Sequence, residues 1–305
     1  MADVGDILNS LVGQAERHGL RVRRETARLD DTGWDFVVVQ VIDDDGQPWI
    51  LRAPRRPGAA ATVLAEQRLL ALLRDSFAVA VPEWRFADET FIAYPRLPGE
   101  PAAAEDPVTF ELRWRIDREH PPPQYLLALG RCMAQLHTTD VEAAAATGIP
   151  VRQPDAVRSR FAGHLAFGAT ELGMHASWQE RGQRWLDDDT LWSPRAVLIH
   201  GDLHPGHTLV DADGTLLGIL DWTDAEVGDP GQEFVEAARK FPPHVLDQLI
   251  GAYAANGGPA WPGLHDHVVE AIAFAPLALA VLGAEAGQQR YIDKARAVLS
   301  VPTTV

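Results

Sequence analysis

The segment His200-Gly201-Asp202-Leu203-His204-Pro205-Gly206-His207 places three histidines and one carboxylate within eight residues. Gly201, Pro205 and Gly206 exclude regular structure, so it reads as a loop entered from the apolar run Ala196–His200. A second carboxylate, Asp221, ends the apolar run Leu216–Leu220, nineteen residues after Asp202. Between them lie a strand at Thr208–Asp211 and the turn Asp211-Ala212-Asp213-Gly214. A hairpin of that kind returns Asp221 to the loop and gathers three groups in one place. Asp202 would accept a hydroxyl proton, and His207 and Asp221 would be metal ligands. Phosphoryl transfer needs that set, because a metal neutralises charge between phosphates while a carboxylate orients the attacking oxygen. His200 and His204 read instead as polar residues that hold the loop. Taken alone, Asp221 also reads as an ordinary strand-end or capping residue.

A cleft of this chemistry needs a cation for the phosphates. Arg52 ends the strand Trp49–Leu51, and Glu66 follows fourteen residues later in an apolar helix. A strand cation held by a helical carboxylate is one way to grip a nucleotide. The plainer reading is a surface arginine and a solvated helix charge. Leu29–Trp34, with Thr32 and the lone Gly33, sits where a loop over phosphates would be.

These residues require two kinds of support. A helix is predicted at the N-terminus, from Val4, Ile7, Leu8, Leu11, Val12 and Ala15 at helical spacing. Strands follow at Asp35–Ile42 and Trp49–Ala53, joined by the Asp43–Gly46 turn, then a helix over Ala60–Arg74. Short strands are expected at Glu83–Phe86 and Thr90–Tyr94. Pro95, Pro98, Gly99 and Pro101 mark a linker, beyond which the pattern to about residue 190 is mostly helical. The β-rich island at 196–222 comes next, and the rest, after Pro230, reads as broken helix. The expected fold is α+β and bilobal, with a β-rich lobe over residues 1–95 and a mostly helical lobe over 96–305.

The 305 residues carry a formal charge of −16. That excess argues against a nucleic-acid binder, suits a cationic small substrate, and opposes a polyanion unless it is neutralised locally. A single cysteine, Cys132, excludes a disulfide framework and a Cys-rich zinc site. The N-terminus lacks a signal-peptide pattern, and the longest apolar run, Ala271–Ala284, contains Pro276 and is shorter than a membrane span of about 18 or more residues. A cytoplasmic, monomeric protein without a membrane partner is expected.

At HGDLHPGH followed by ILDW, the sequence resembles the aminoglycoside phosphotransferase group of small-molecule kinases, which have a protein-kinase-like fold. It is more similar to the macrolide 2′-phosphotransferases. The matching segments are His200–Asp211, Asp221-Trp222-Thr223, Gly228-Asp229-Pro230, Leu51–Arg56 and Gly33–Phe36, and the likeness runs from about residue 5 to 290. It implies that Asp202 is the catalytic carboxylate and that His207 and Asp221 hold Mg²⁺. His207 stands where most of the superfamily has Asn, which points to the macrolide branch. The resemblance also implies that Arg52 replaces the usual phosphate-gripping Lys, with Glu66 as its partner. Thr32 and Gly33 would cover phosphates, and Ile92 and Tyr94 of Phe91–Pro95 would offer backbone groups to a purine. GTP is the implied donor, with ATP possible, and Asp229 would brace the catalytic loop.

The implied acceptor is a macrolide, phosphorylated on the 2′-hydroxyl of an amino sugar whose neighbouring dimethylammonium would favour nearby acids. Asp224 and Glu226 are candidates for that contact. Tyr253, Phe274, Ala278 and Leu282, with Phe241 and Trp261, are candidates for an apolar surface, although helical spacing alone makes most of them core. Three rivals remain open on the sequence. One is a dinuclear metallohydrolase using His200, Asp202, His204 and His207. Another is a kinase of the same scaffold acting on a different small acceptor, and the third is a non-catalytic binding module.

Overall fold

A computed structural model describes residues 4–30, 35–55, 57–106 and 112–303. Thr32 and Gly33, with most of the predicted phosphate-covering loop, lie outside the described residues. In chain order the first elements are α1 (Val4–Arg17), β1 (Val22–Asp30), β2 (Phe36–Asp43), β3 (Pro48–Pro54), α2 (Pro57–Leu73), β4 (Phe86–Ala87) and β5 (Ile92–Pro95). They form a five-stranded antiparallel sheet ordered β1-β2-β3-β5-β4. The β2–β3 hairpin turns at Asp43–Gly46, where the Asp43 carboxylate accepts the Gln47 N–H at 2.8 Å. β2 is a nearly continuous apolar run and pairs Val38 with Arg52 and Val39 with Leu51. That register fixes which face of β3 presents Arg52. α1 covers the sheet with Leu11, Val12 and Ala15, packed with Val39, Val41, Leu51 and Phe91.

β1 escaped the sequence reading. Its residues, VRRETARLD, are largely exposed and carry no apolar alternation. It forms because β2 offers it an edge, with a register irregularity between Arg23 and Arg28. Exposed arginines of this kind also blunt a sheet edge against further pairing.

The expected linker contains a short strand, β6 (Glu100–Pro101), and the region read as mostly helical begins with the hairpin β7 (Ala103–Glu105) and β8 (Leu112–Trp114). Then come α3 (Pro123–His137), α4 (Val141–Ala146), α5 (Pro154–Glu171) and α6 (Ala176–Asp187). β9 (Val197–Ile199), β10 (Thr208–Val210) and β11 (Leu216–Ile219) follow as expected, and β12 (Glu226–Gly228) is an addition that pairs with β9. β6 joins the edge of β10, giving a sheet ordered β11-β10-β6. β6, β7, β8 and β12 span two or three residues each and lack the apolar run and turn that mark β9 and β10, so periodicity does not reveal them.

The chain ends in α7 (Pro230–Ala238), α8 (His244–Ala255), α9 (Leu264–Ala273), α10 (Ala275–Glu285) and α11 (Gln289–Leu299). The main core joins Tyr125, Leu129, Met133, Trp222, Phe234 and Tyr253. α3 and α8 approach closely at Gly130, where a Cβ would lie 2.7 Å from the Tyr253 backbone nitrogen, so a side chain there would push the helices apart. A second core gathers Trp178, Trp185, Phe274 and Leu277. Among the described residues no single helix is long and apolar enough to cross a membrane.

Candidate active site

β9 is buried on every residue and delivers the chain to His200, itself fully buried. The His200 ring is used twice. Its Nδ1 accepts the Asp202 N–H at 3.2 Å, and its Nε2–H donates to the Leu220 carbonyl at 2.8 Å. Burial lowers its pKa to about 3, so the ring is neutral and can act as both donor and acceptor. His200 therefore ties the loop to the strand end that carries Asp221. Gly201 adopts a φ of +85°, and a Cβ there would lie 2.3 Å from the Asp224 carbonyl oxygen, so only glycine lets the loop pass.

The brace of this loop is Glu233 rather than the expected Asp229. Glu233, on α7 and fully buried, accepts the N–H groups of His200 at 2.9 Å and Gly201 at 3.2 Å through Oε2. Asp229 instead caps α7 through the Gly231 N–H at 2.9 Å and binds His267 Nε2 at 2.8 Å. The other nitrogen of His267 accepts the Trp185 indole N–H at 3.2 Å. Glu233 was missed because a carboxylate in the first turn of a helix already has an ordinary explanation in the helix dipole. Burial pushes its carboxyl up to about 8. Glu233→Ala would strand two buried N–H groups at roughly 1–3 kcal/mol each. We expect a lower melting temperature and a lower kcat with little change in nucleotide KM. Glu233→Gln keeps an acceptor oxygen and should lose much less, and equal losses in the two variants would remove the bracing role.

Beyond the brace, the candidate residues Asp202, His207 and Asp221 converge. Asp202 Oδ2 lies 3.5 Å from His207 Nδ1 and 3.8 Å from His204 Nε2. Burial pushes the Asp202 carboxyl up to about 7. His207 opposes that rise, while Glu236, Asp224 and Asp221 add to it. His207 Nδ1 is also 2.9 Å from the Asp202 carbonyl, to which its N–H donates, so Nε2 is the nitrogen that can offer a lone pair. That nitrogen faces Asp221 Oδ2 at 3.8 Å. A nitrogen lone pair and a carboxylate oxygen thus point into one space, which suits a divalent cation. β10 and β11 produce this meeting, since Thr208 pairs with Ile219 and the Leu220 N–H donates to the His207 carbonyl at 2.8 Å.

Asp202, His204 and His207 also form a cluster whose ligand-type atoms lie within 4.8 Å of one another. His204 is a poor third ligand, because its Nδ1 already accepts the Gly206 N–H at 2.9 Å. Its lone pair holds the loop, as the sequence suggested for His200 and His204, and among the described residues the donor set of a dinuclear hydrolase is not met.

Arg52 and Glu66 reach the same place from the N-terminal sheet. Both are almost fully buried, which overturns the surface-charge reading of each. Arg52 lies 3.5 Å from Glu66 Oε1 and 3.5 Å from Asp221 Oδ1, and stacks 4.0 Å over the Phe36 ring. Burial pushes the Glu66 carboxyl up to about 7 even against the pull of Arg52. Burial alone would also raise Asp221. Arg52 and His207 more than offset it, and Asp221 stays below the usual carboxylate range.

The chain matches the phosphotransferase enzyme family over residues 26–267. It belongs to that family. A macrolide 2′-phosphotransferase from Brachybacterium faecium, MphH, superimposes with a TM-score of 0.88 at 38% identity, over 98% of this chain and 100% of that one. A type I macrolide 2′-phosphotransferase gives 0.87 at 31% identity over 99% of each. An uncharacterised protein of Bacillus subtilis (strain 168), YcbJ, is 38% identical over 97% of this chain and 96% of its own. An aminoglycoside phosphotransferase holding GDP and kanamycin, 20% identical with a TM-score of 0.77 over 95% of this chain and 96% of that one, shares the kinase-like fold. The protein is a phosphotransferase with a hydroxyl acceptor, as the motif implied.

In this phosphotransferase the remaining candidates separate. Ile92 is wholly buried in β5 between Arg52 of β3 and Ala87 of β4, and Tyr94 lies two residues along beside Arg52. Asp224 is exposed next to Gly201 and acts on Asp202. Glu226 does not offer a free charge, because Arg152 pairs with it and Arg160 lies 3.8 Å away. Tyr253 and Phe274 are core residues rather than pocket lining. The Tyr253 hydroxyl bonds His137 Nδ1 at 2.8 Å, and Phe274 is packed among Phe161, Trp178 and Trp185. Ala278 and Leu282 are exposed one turn apart on α10, which packs on α11, α5 and α9.

Proposed function

We propose that this phosphotransferase moves the γ-phosphate of GTP, with ATP as a weaker donor, to the 2′-hydroxyl of a macrolide amino sugar and so inactivates the antibiotic. The observation that carries the reading is the His207 Nε2 lone pair facing Asp221 Oδ2, beside the Asp202 carboxylate. Imidazole in that position, together with the likeness to two macrolide 2′-phosphotransferases over almost the whole chain, supports the acceptor. The choice of GTP rests on the resemblance of the motifs.

His207 and Asp221 would hold Mg²⁺, which supplies charge neutralisation between phosphates. Asp202 takes or orients the proton of the attacking hydroxyl, with no covalent phospho-enzyme. Arg52 supports the phosphates from the N-terminal sheet, and residues 1–95 act as the nucleotide-binding unit. Local cations thereby offset the −16 charge of the chain where the nucleotide binds. Asp224 remains the acid placed to attract the acceptor's ammonium, while Ala278 and Leu282 remain candidates for contact with the lactone. The protein acts in the cytoplasm as a monomer.

The test is a panel of macrolides and aminoglycosides with GTP and ATP, the product located by mass spectrometry. Phosphate on the macrolide amino sugar is the expected result. Phosphate on aminoglycosides alone would overturn the acceptor, and product formed without nucleotide would overturn the reaction class.

A further inference from the structure

Thr223 closes the matched segment Asp221-Trp222-Thr223 and has no part in the proposed chemistry, yet it stands between the two halves of the site. Its Oγ1 lies 2.9 Å from Asp221 Oδ1 and 3.1 Å from Glu66 Oε2, a side chain 157 residues away in sequence. With the Arg52 contacts to both carboxylates at 3.5 Å, the four side chains close a ring: Arg52, Glu66, Thr223, Asp221. The two oxygens of Asp221 are then divided. Oδ1 is taken by Thr223 and Arg52, and Oδ2 faces the His207 lone pair.

This division matters because Asp221 is, among the described residues, the one non-glycine residue with a positive φ, +58°. Its backbone is held there by the strand end before it and by Trp222 after it, whose buried indole donates to the Ile219 carbonyl at 3.2 Å. The backbone fixes where the carboxylate begins, and the side-chain torsions decide where its oxygens point. A hydroxyl at 2.9 Å from one oxygen locks that choice.

We infer that Thr223 is a positioning residue, whose hydroxyl aims Asp221 Oδ2 into the cation site and makes that aim depend on Glu66 of α2. The inference rests on the nucleotide-kinase reading above, since it needs His207 and Asp221 to hold a cation with the nucleotide. It goes beyond it in linking the metal carboxylate to the N-terminal helix through a neutral side chain. A threonine hydroxyl has one proton, so Asp221 Oδ1 and Glu66 Oε2 compete for it, and its donation to Asp221 depends on where the Glu66 carboxyl stands.

The test compares Thr223→Val, which keeps the shape without the hydroxyl, with Thr223→Ser, which keeps the hydroxyl without the methyl. Binding of Mn²⁺ with a non-hydrolysable GTP analogue is followed by the loss of the free Mn²⁺ EPR signal, and Mg²⁺ activation is measured in turnover. The expected result is a Mn²⁺ dissociation constant raised about tenfold or more in Thr223→Val, the size of one charge-assisted hydrogen bond. Thr223→Ser should stay within about threefold of the wild type, and acceptor KM should be unchanged in both. A Thr223→Val constant within about twofold of the wild type overturns the inference, as does a Thr223→Ser variant as weak as Thr223→Val. A wild type that binds Mn²⁺ with the analogue but phosphorylates no macrolide overturns the proposed acceptor and leaves this test intact.

Discussion

Replacing Asp202 by Asn is expected to lower kcat by about 10²–10⁴-fold, the usual contribution of a positioned general base, with nucleotide binding nearly intact. The loop gives a reason to trust the separation of the two effects. It is held by backbone groups, through the His200 and Gly201 N–H bonds to Glu233, the Asp202 N–H to His200, and the Asp202 carbonyl to His207. None of these involves the Asp202 carboxylate, so the amide removes the base and leaves the frame. Stability gives a second reading of the same substitution. A carboxyl lifted to about 7 by burial and by acidic neighbours makes its ionised form unfavourable in the folded state. Below about pH 4 the group is protonated in both folded and unfolded chains and costs nothing. The cost grows as pH rises towards 7 and then levels, so the variant's melting temperature should gain on the wild type across that window. Turnover within a few-fold of wild type would remove Asp202 from the base role.

Asp221→Asn should disable the metal side of the reaction with little damage to the fold. Asparagine tolerates the left-handed backbone at φ +58° and keeps the outline of the side chain, but it removes the charge that faces His207 and Arg52. Loss of charge stabilisation worth several kcal/mol predicts a fall of about 10²-fold or more in kcat/KM for the Mg–nucleotide. Asp221→Ala makes the same catalytic change and adds strain of roughly 1–2 kcal/mol at that φ, so it should melt lower than the Asn variant. Kinetic titration with Mg²⁺ and thermal melts of the pair separate the two contributions. Wild-type Mg²⁺ dependence in Asp221→Asn would show that another group holds the cation.

The His200–His207 loop was legible in the sequence because its information is local. Gly201, Pro205 and Gly206 forbid regular structure there, and the run from Thr208 to Leu220 is one hairpin whose length sets where Asp221 returns. The observed pairing of Thr208 with Ile219 follows from that spacing. Arg52 and Glu66 were legible as a candidate pair but not as buried, since a charge on a strand and a charge on a helix each look ordinary alone. Periodicity also could not tell core from pocket. Tyr253 and Phe274 have the spacing of either, and only the packing around them puts both inside. β1 was invisible for the converse reason, being a strand made by its neighbour's edge and not by its own pattern.

Glu233 and Thr223 mark the boundary more sharply. Each carries an unremarkable local explanation, a helix-start acid and a hydroxyl after a tryptophan. Each gains its role from a partner brought in by the fold, the Gly201 loop for one and Glu66 for the other. The sequence by itself determined that Asp202, His207 and Asp221 meet, within one loop and one hairpin, because chain connectivity fixes those distances to within a few residues' reach. Tertiary structure decided which charges are buried, how the two oxygens of Asp221 are divided, and what holds the catalytic loop. Those depend on contacts between separate elements, 32 residues apart for Gly201 and Glu233 and 157 for Glu66 and Thr223, which no local spacing constrains.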